Sequence, residues 1–331
     1  MIKDNYILGE ALNSLYNFTN IQAILSDTRD RRKALLSIAG EEFALKVKPE
    51  ITKGNKGLVL AELKESSFEN NLPPLLLTQY IPSDIAKEYV EERVNYLDVA
   101  GNCNIRSGRL FILIEGKKSE HAAKTNKPRA FQEAGIKLIF IFLVKPESVK
   151  LPYRELADLA GISLGSVAAI MQELCDQNFL LRTKQTKKLK NSNRLLERWI
   201  IAYHDVLRPR LILRQMRFAK SENLTAWKSV NLASQPGLAY WGGEAAANLI
   251  TGYLHPGSLT IYTNRSWQSF KDIGLLPDES GNVQILELFW KPDFHTGIPP
   301  VLIYADLMSS GSNRNLETAK MIYDRELQYL K

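Results

Sequence analysis

The sequence predicts a soluble chain of α/β and α+β character in three domains, residues 1–122, 123–193 and 194–331, and three observations predict it. Helix-like and strand-like periodicities alternate at both ends of the chain. Between them, LPYRELADLAGISLGSVAAIMQELCDQNFLLRTKQTKKLK (residues 151–190) reads as two short helices, a tight turn and a basic hairpin. The polar run KKSEHAAKTNK, from Lys117 to Lys127, reads as a linker. At 331 residues, two or three cores of ordinary size fit.

The central stretch is the most explicit. Leu156, Leu159 and Ala160 recur at helical spacing, then Gly161 supplies a C-cap and Ser163 an N-cap. Val167, Ile170, Met171 and Leu174 make one apolar stripe on the second helix. Asn178 to Leu181 has strand character, and Thr183 to Lys190 is polar and cationic, the composition of a hairpin that tracks a phosphate backbone. Pro128 fits the first turn of a preceding helix, Arg129 to Val144, with Phe131, Ala134, Leu138 and Ile141 inward. IKLIFIFLV also reads as a buried strand.

Charge points the same way. The chain carries 43 Lys and Arg against 36 Asp and Glu, a formal charge of +7. Between Arg182 and Lys220 stand Arg182, Lys184, Lys187, Lys188, Lys190, Arg194, Arg198, Arg208, Arg210, Arg214, Arg217 and Lys220, opposed by only Glu197 and Asp205. A single-sign concentration beside a helix-turn-helix favours a polyanionic partner. No apolar run is long enough to span a membrane, and the N-terminus lacks the layout of a secretory signal, so the chain is expected in the cytoplasm. Cys103 and Cys175 stand apart with no nearby histidine, which excludes a disulfide framework and a zinc knuckle.

In the first domain, Asp4 to Tyr16 is an amphipathic helix with Ile7, Leu8, Ala11, Leu12 and Leu15 inward. Strand-like runs follow at 21–25, 34–39 and 43–47, then a helix at 57–63, a strand at 75–80 and a helix from Ser83 to Val94. The order helix, three strands, helix, strand, helix is similar to the restriction-endonuclease-like fold. An active member needs clustered carboxylates for a magnesium ion and a lysine for the attacking water. On the third strand Lys46 and Lys48 have no acid two residues before them, and the second strand has no aspartate, so the expected site is missing. Asp98 with Glu115-Gly116-Lys117 has a literal spacing that a magnesium nuclease accepts. Glu-Gly-Lys is also an ordinary strand exit, and the domain reads as inactive, with Asp98, Glu115 and Lys117 as the enzyme alternative.

The last domain alternates strands at 211–218, 239–241, 259–262 and 283–289 with helices at 194–207, 244–252, 267–273, 301–308 and 313–330. Trp241-Gly242-Gly243-Glu244 suits an anion on its backbone amides or tight helix–strand packing, and packing is the preferred reading. There is no Walker lysine, no dinucleotide fingerprint and no glycine-serine with paired aspartates. His204, His255 and His295 are scattered.

YLDVAGNCNI, RAFQEAGIKLIFIFLV, LPYRELADLAGISLGSVAAIMQEL and YWGGEAAANLITGYLHPGSLTIYT, in this order over most of the chain, resemble the bacterial proteins grouped with the AbiEi antitoxins of type IV toxin–antitoxin systems. The resemblance implies a DNA-binding autorepressor that opposes a nucleotidyltransferase-like toxin without touching it stably; a stand-alone regulator is the other form it admits. The expected function is therefore a transcriptional regulator, not an enzyme, acting on a double-stranded operator through a winged helix-turn-helix, with a homodimer suiting a palindromic site. Ser163, Gly165, Ser166 and Gln172 would face base edges and phosphates, while Arg154, Lys184, Lys187, Lys188 and Lys190 would position the backbone. No arginine or asparagine stands on the second helix for bidentate readout, and Glu173 and Asp176 are unfavourable near phosphates. No cofactor is expected; magnesium belongs only to the nuclease alternative, and a protein-binding antitoxin or scaffold is the third reading.

Overall fold

The computed structural model describes residues 2–26, 35–70, 72–118, 128–183, 186–220, 222–234, 236–310 and 312–331. The chain divides into two compact units, Met1–Thr125 and Asn126–Lys331.

The first unit runs α1 (Ile2–Thr19), β1 (Ala23–Ser26), β2 (Leu35–Ile38), β3 (Glu41–Val47), α2 (Lys56–Asn70), β4 (Pro74–Thr78), α3 (Ser83–Glu91), β5 (Asn95–Asp98), β6 (Cys103–Ser107) and β7 (Leu110–Ile114). Its seven strands lie in sequence order. β3, β4 and β5 are mutually parallel, because helices α2 and α3 carry the chain back between them, and the outer pairs are antiparallel. Alternation along the strands gives the sheet two apolar faces. Ile7, Ala11 and Leu15 of α1 pack on Leu36, Phe43, Leu77, Leu97 and Ile105. Val59 and Leu63 of α2 and Ile85 and Tyr89 of α3 pack on Leu76 and Tyr96. Cys103 lies in the first of these cores, and burial pushes its thiol up to about 12. β6 had no sequence counterpart, since Asn104 and Arg106 interrupt its apolar pattern.

The second unit contains α4 (Glu133–Val144), α5 (Tyr153–Ala160), α6 (Leu164–Asp176), β8 (Leu180–Arg182), β9 (Lys187–Leu189), α7 (Ser192–Ala202), α8 (Arg208–Leu211), β10 (Ile212–Phe218), α9 (Glu222–Thr225), β11 (Ala239–Gly242), α10 (Gly243–Thr251), β12 (Leu259–Thr263), β13 (Leu275–Pro277), β14 (Val283–Glu287), α11 (Pro300–Met308) and α12 (Asn313–Glu326). β10 to β14 form one sheet in the order β11-β12-β14-β10-β13, parallel only between β12 and β14.

Helix α4 is the keystone of this unit. Ile136 and Leu138 to Leu143 are all buried, and the one polar strip is Lys137 paired with Glu133 at 2.9 Å, so the helix is enclosed on nearly every side. It packs against α5, α6 and α7 and against α11. The Trp199 indole N–H donates to the Ile136 carbonyl at 2.9 Å, and the Phe140 ring stacks on Trp199 with centroids 5.7 Å apart. The strand alternative for IKLIFIFLV is thus overturned: a β-branched and aromatic run goes helical when nearly every side is covered. The helix begins at Glu133 because Arg129–Phe131 forms a separate 3₁₀ turn. A Cβ on Gly135 would lie 2.2 Å from the Ala130 carbonyl oxygen, so this junction demands glycine.

Three other expectations change in detail. The helix expected at 194–207 starts at Ser192 and widens into a π-helical turn, Tyr203–Leu207, before Pro209 enters α8. Trp267–Ile273 is 3₁₀ rather than α, and α12 stops at Glu326 before a 3₁₀ turn at Gln328–Leu330.

Candidate nucleic-acid interface

The interface is built on α5, α6 and the β8–β9 hairpin. Gly161 ends α5 in the left-handed conformation at φ 63°, and Ile162 N–H returns to the Ala157 carbonyl, closing the helix end. Two residues on, Ser163 caps α6, its Oγ accepting from Ser166 N–H at 3.2 Å and lying 2.8 Å from Ser166 Oγ. Val167, Ile170, Met171 and Leu174 are buried, which leaves the opposite face of α6 open. β8 and β9 pair antiparallel through Leu180↔Leu189 and Arg182↔Lys187.

Gly165 lies on the open face of α6 and is exposed; a Cβ there would meet nothing within 4 Å. Arg154, Lys188 and Lys190 are exposed, and Lys187 is half-buried with its ammonium 5.0 Å from the Tyr153 ring centroid. Neither Lys187 nor Lys188 is in an ion pair among the described residues. Lys184 lies outside the described residues.

Arg182 ties the hairpin to both helices. It donates to Tyr153 Oη at 3.1 Å and to Gln172 Oε1 at 2.5 Å, and Gln172 Nε2 donates to Asp176 Oδ1 at 2.8 Å. Gln172, read from the sequence as a base reader, is therefore engaged at both ends of its amide. Glu173 is turned away from the open face, accepting from Ala130 N–H and Gln177 Nε2, both at 2.9 Å.

The basic count of the sequence shrinks in space. Arg198 donates to Gln177 Oε1 at 2.6 Å and lies over Phe131, Arg208 pairs with Asp306 at 3.2 Å, Arg210 with Glu133 at 2.6 Å and Arg217 with Asp278 at 3.0 Å. All four have partners within the protein; Arg198 and Arg208 are partly buried, whereas Arg210 and Arg217 form exposed ion pairs.

A buried polar cluster, unseen in the sequence, adjoins the π-helical turn. Tyr203 Oη and Tyr262 Oη lie 2.6 Å apart, Tyr262 donates to Asp306 Oδ2 at 3.0 Å, and Arg208 reaches Asp306 Oδ1. His204 Nε2 donates to the Ala305 carbonyl at 2.9 Å, and desolvation pulls its pKa down to about 4, so the ring is neutral. Members of this cluster stand up to 103 positions apart, which no local pattern reveals. It satisfies its own charges and fixes how α8, β12 and α11 pack. The glycines of Trp241-Gly242-Gly243 serve packing beside it: a Cβ on Gly242 would lie 2.5 Å from the Tyr262 ring.

In the first unit, Asp98 ends β5 and is fully buried. Its carboxylate accepts from Ile81 N–H at 3.1 Å, Asn102 N–H at 2.8 Å and Asn102 Nδ2 at 2.9 Å; burial raises its pKa against those bonds. Glu115 is exposed, and the Lys117 ammonium sits 3.9 Å from the Phe18 ring centroid. Among the described residues no group of three or more His, Cys, Asp or Glu is placed to hold a metal ion. The acid that the sequence did not find near Lys46 and Lys48 comes from a helix: Glu62 of α2 pairs with both, at 3.4 and 2.7 Å. No described helix is long and apolar enough to cross a membrane.

Neither the curated proteins nor the solved structures returned a match to this chain. A family model described as transcriptional regulator, AbiEi antitoxin, type IV TA system matches residues 188–328, from β9 to just beyond α12. Over that region the chain is thus similar to the AbiEi antitoxin family of type IV toxin–antitoxin transcriptional regulators, the family its sequence resembles.

Proposed function

We propose that this chain is an antitoxin-type autorepressor that binds double-stranded operator DNA through a winged helix-turn-helix made of α4, α5, α6 and the β8–β9 hairpin. One observation carries the reading: unpaired lysines on the hairpin flank a helix face that Gly165 leaves bare. A helical glycine costs about 0.5–1 kcal/mol against alanine, and nothing in the free protein requires one here. A close-approaching phosphate backbone supplies the requirement. Ser166 and the Ser163 cap stand at that approach, Arg154, Lys187, Lys188 and Lys190 neutralise phosphates, and Gln172 reads a base by exchanging its Arg182 bond. Lys184 belongs to the same proposal.

The first unit reads as a restriction-endonuclease-like scaffold, supported by α1, three antiparallel strands, α2 and a parallel β4. A homodimer on a palindromic site and a nucleotidyltransferase-like toxin complete the reading. The test is a mobility shift of duplex DNA from the protein's own promoter, with and without magnesium. A shift of intact DNA that weakens with salt is expected. Magnesium-dependent cleavage abolished by Glu115→Ala would replace this reading with the nuclease, and no shift would turn the search to a protein partner.

A further inference from the structure

Residues 1–125 hold 17 basic and 17 acidic side chains. Around α2 and α3 they are matched: Lys48 with Glu62, Lys53 with Asp84, Lys56 with Glu88 and Lys64 with Glu92. Arg93 and Arg106 break the pattern, since neither is in an ion pair among the described residues. Both line a surface pocket of about 500 Å³ with Ser107, Gly108, Leu110 and Phe111; the carboxylate at its border, Glu41, is engaged by Ser107, whose Oγ donates to Glu41 Oε2 at 2.7 Å.

Arg93 is fixed at its backbone and Arg106 at its side chain. Arg93 follows α3 at φ 56°, a left-handed position where glycine is the usual residue. An arginine held there costs about 1 kcal/mol or more of backbone strain. Arg106 is aimed by two contacts: its Nε donates to Asn104 Oδ1 at 3.2 Å, and its guanidinium lies 4.4 Å from the Phe111 ring centroid. Asn104 is itself buried and fixed by donation to the Val94 carbonyl at 2.8 Å. Only Nε of Arg106 is thereby used. Beside it Phe111 is 58% exposed and Leu113 43%, both on the β7 face opposite core residue Ile112.

Forked cations take phosphate oxygens, and an open aromatic surface beside them takes an unpaired base. We propose that this pocket binds a nucleotide, its phosphate between Arg93 and Arg106 and its unpaired base against Phe111 and Leu113. The site belongs to the first unit and stands or falls independently of the operator reading.

The experiment uses the full chain carrying Lys187→Ala and Lys188→Ala, so that the hairpin contributes little. Fluorescence anisotropy follows a labelled oligothymidylate across salt. Arg93→Gly removes a guanidinium while relieving the backbone, and Arg106→Gln keeps the side chain's length. Together they are expected to weaken binding roughly tenfold and to lower the salt slope by about 0.7, the value for the one phosphate on a single strand that the two arginines share. A strand bearing iodouracil is expected to crosslink to the tryptic peptide 110–117, which contains Phe111. Competition by thymidine 5′-monophosphate assigns the pocket to free nucleotide, and competition by the strand alone assigns it to nucleic acid. Unchanged affinity and slope in Arg93→Gly/Arg106→Gln, with thermal melting unchanged, overturn the proposal.

Discussion

Two lysine pairs divide the molecule's two units. Lys46 and Lys48 on β3 share Glu62, whereas Lys187 and Lys188 on β9 have no carboxylate in ion-pair distance among the described residues. The same contrast holds for the units as wholes: residues 1–125 are formally neutral, and all of the +7 lies in residues 126–331, with 26 basic against 19 acidic side chains. Yet within the second unit Arg198, Arg208, Arg210 and Arg217 already have partners in the protein. A count of charges therefore overstates a polyanion-binding surface, and what decides is which cations lack partners.

The contrast can be broken most severely at the keystone of the second unit. Trp199→Ala removes the stack on Phe140 and the bond to Ile136, and is expected to cost about 3–5 kcal/mol in urea unfolding followed by far-UV circular dichroism. A loss below about 1 kcal/mol would show that α4 is not held there. Next comes acid. The folded pKa of His204, about 4, lies below the ordinary 6.5, so its contribution is complete above pH 6.5 and is lost as pH falls toward 4. The loss amounts to about 3 kcal/mol at most. His204→Gln, which keeps a donor for Ala305, should flatten that part of the pH–stability curve; an unaltered curve would contradict the assignment. The smallest effect is the most diagnostic. Gly165→Ala should stabilise the fold by about 0.5–1 kcal/mol while weakening duplex binding several-fold, and stabilisation with undiminished binding would remove the close approach from the account.

Much of the interface was legible because its signals are local. Gly161 and Ser163 cap adjacent helix ends within three residues, and the α6 stripe repeats at helical spacing. The sign of the hairpin is likewise written in consecutive lysines. What the sequence hid depends on distance. Glu62 reaches the β3 lysines from a helix, Asp306 meets Arg208 from 98 positions away, and Glu173 turns inward to Ala130. Arg93 and Arg106 become a pair only because β5 and β6 are neighbours in the sheet. Helix α4 was ambiguous for a related reason: an aliphatic and aromatic run carries little period when nearly all its faces are buried.

The most direct test sets the two lysine pairs against each other in one measurement, the salt dependence of operator-duplex affinity. Lys187→Ala with Lys188→Ala should reduce the slope of log affinity against log salt by about 1.8, two phosphate contacts at about 0.9 each. Lys46→Ala with Lys48→Ala should leave the slope where it is. An unchanged slope in the hairpin variant, or an equal loss from the β3 pair, would contradict the claim that hairpin cations outside ion pairs hold the DNA.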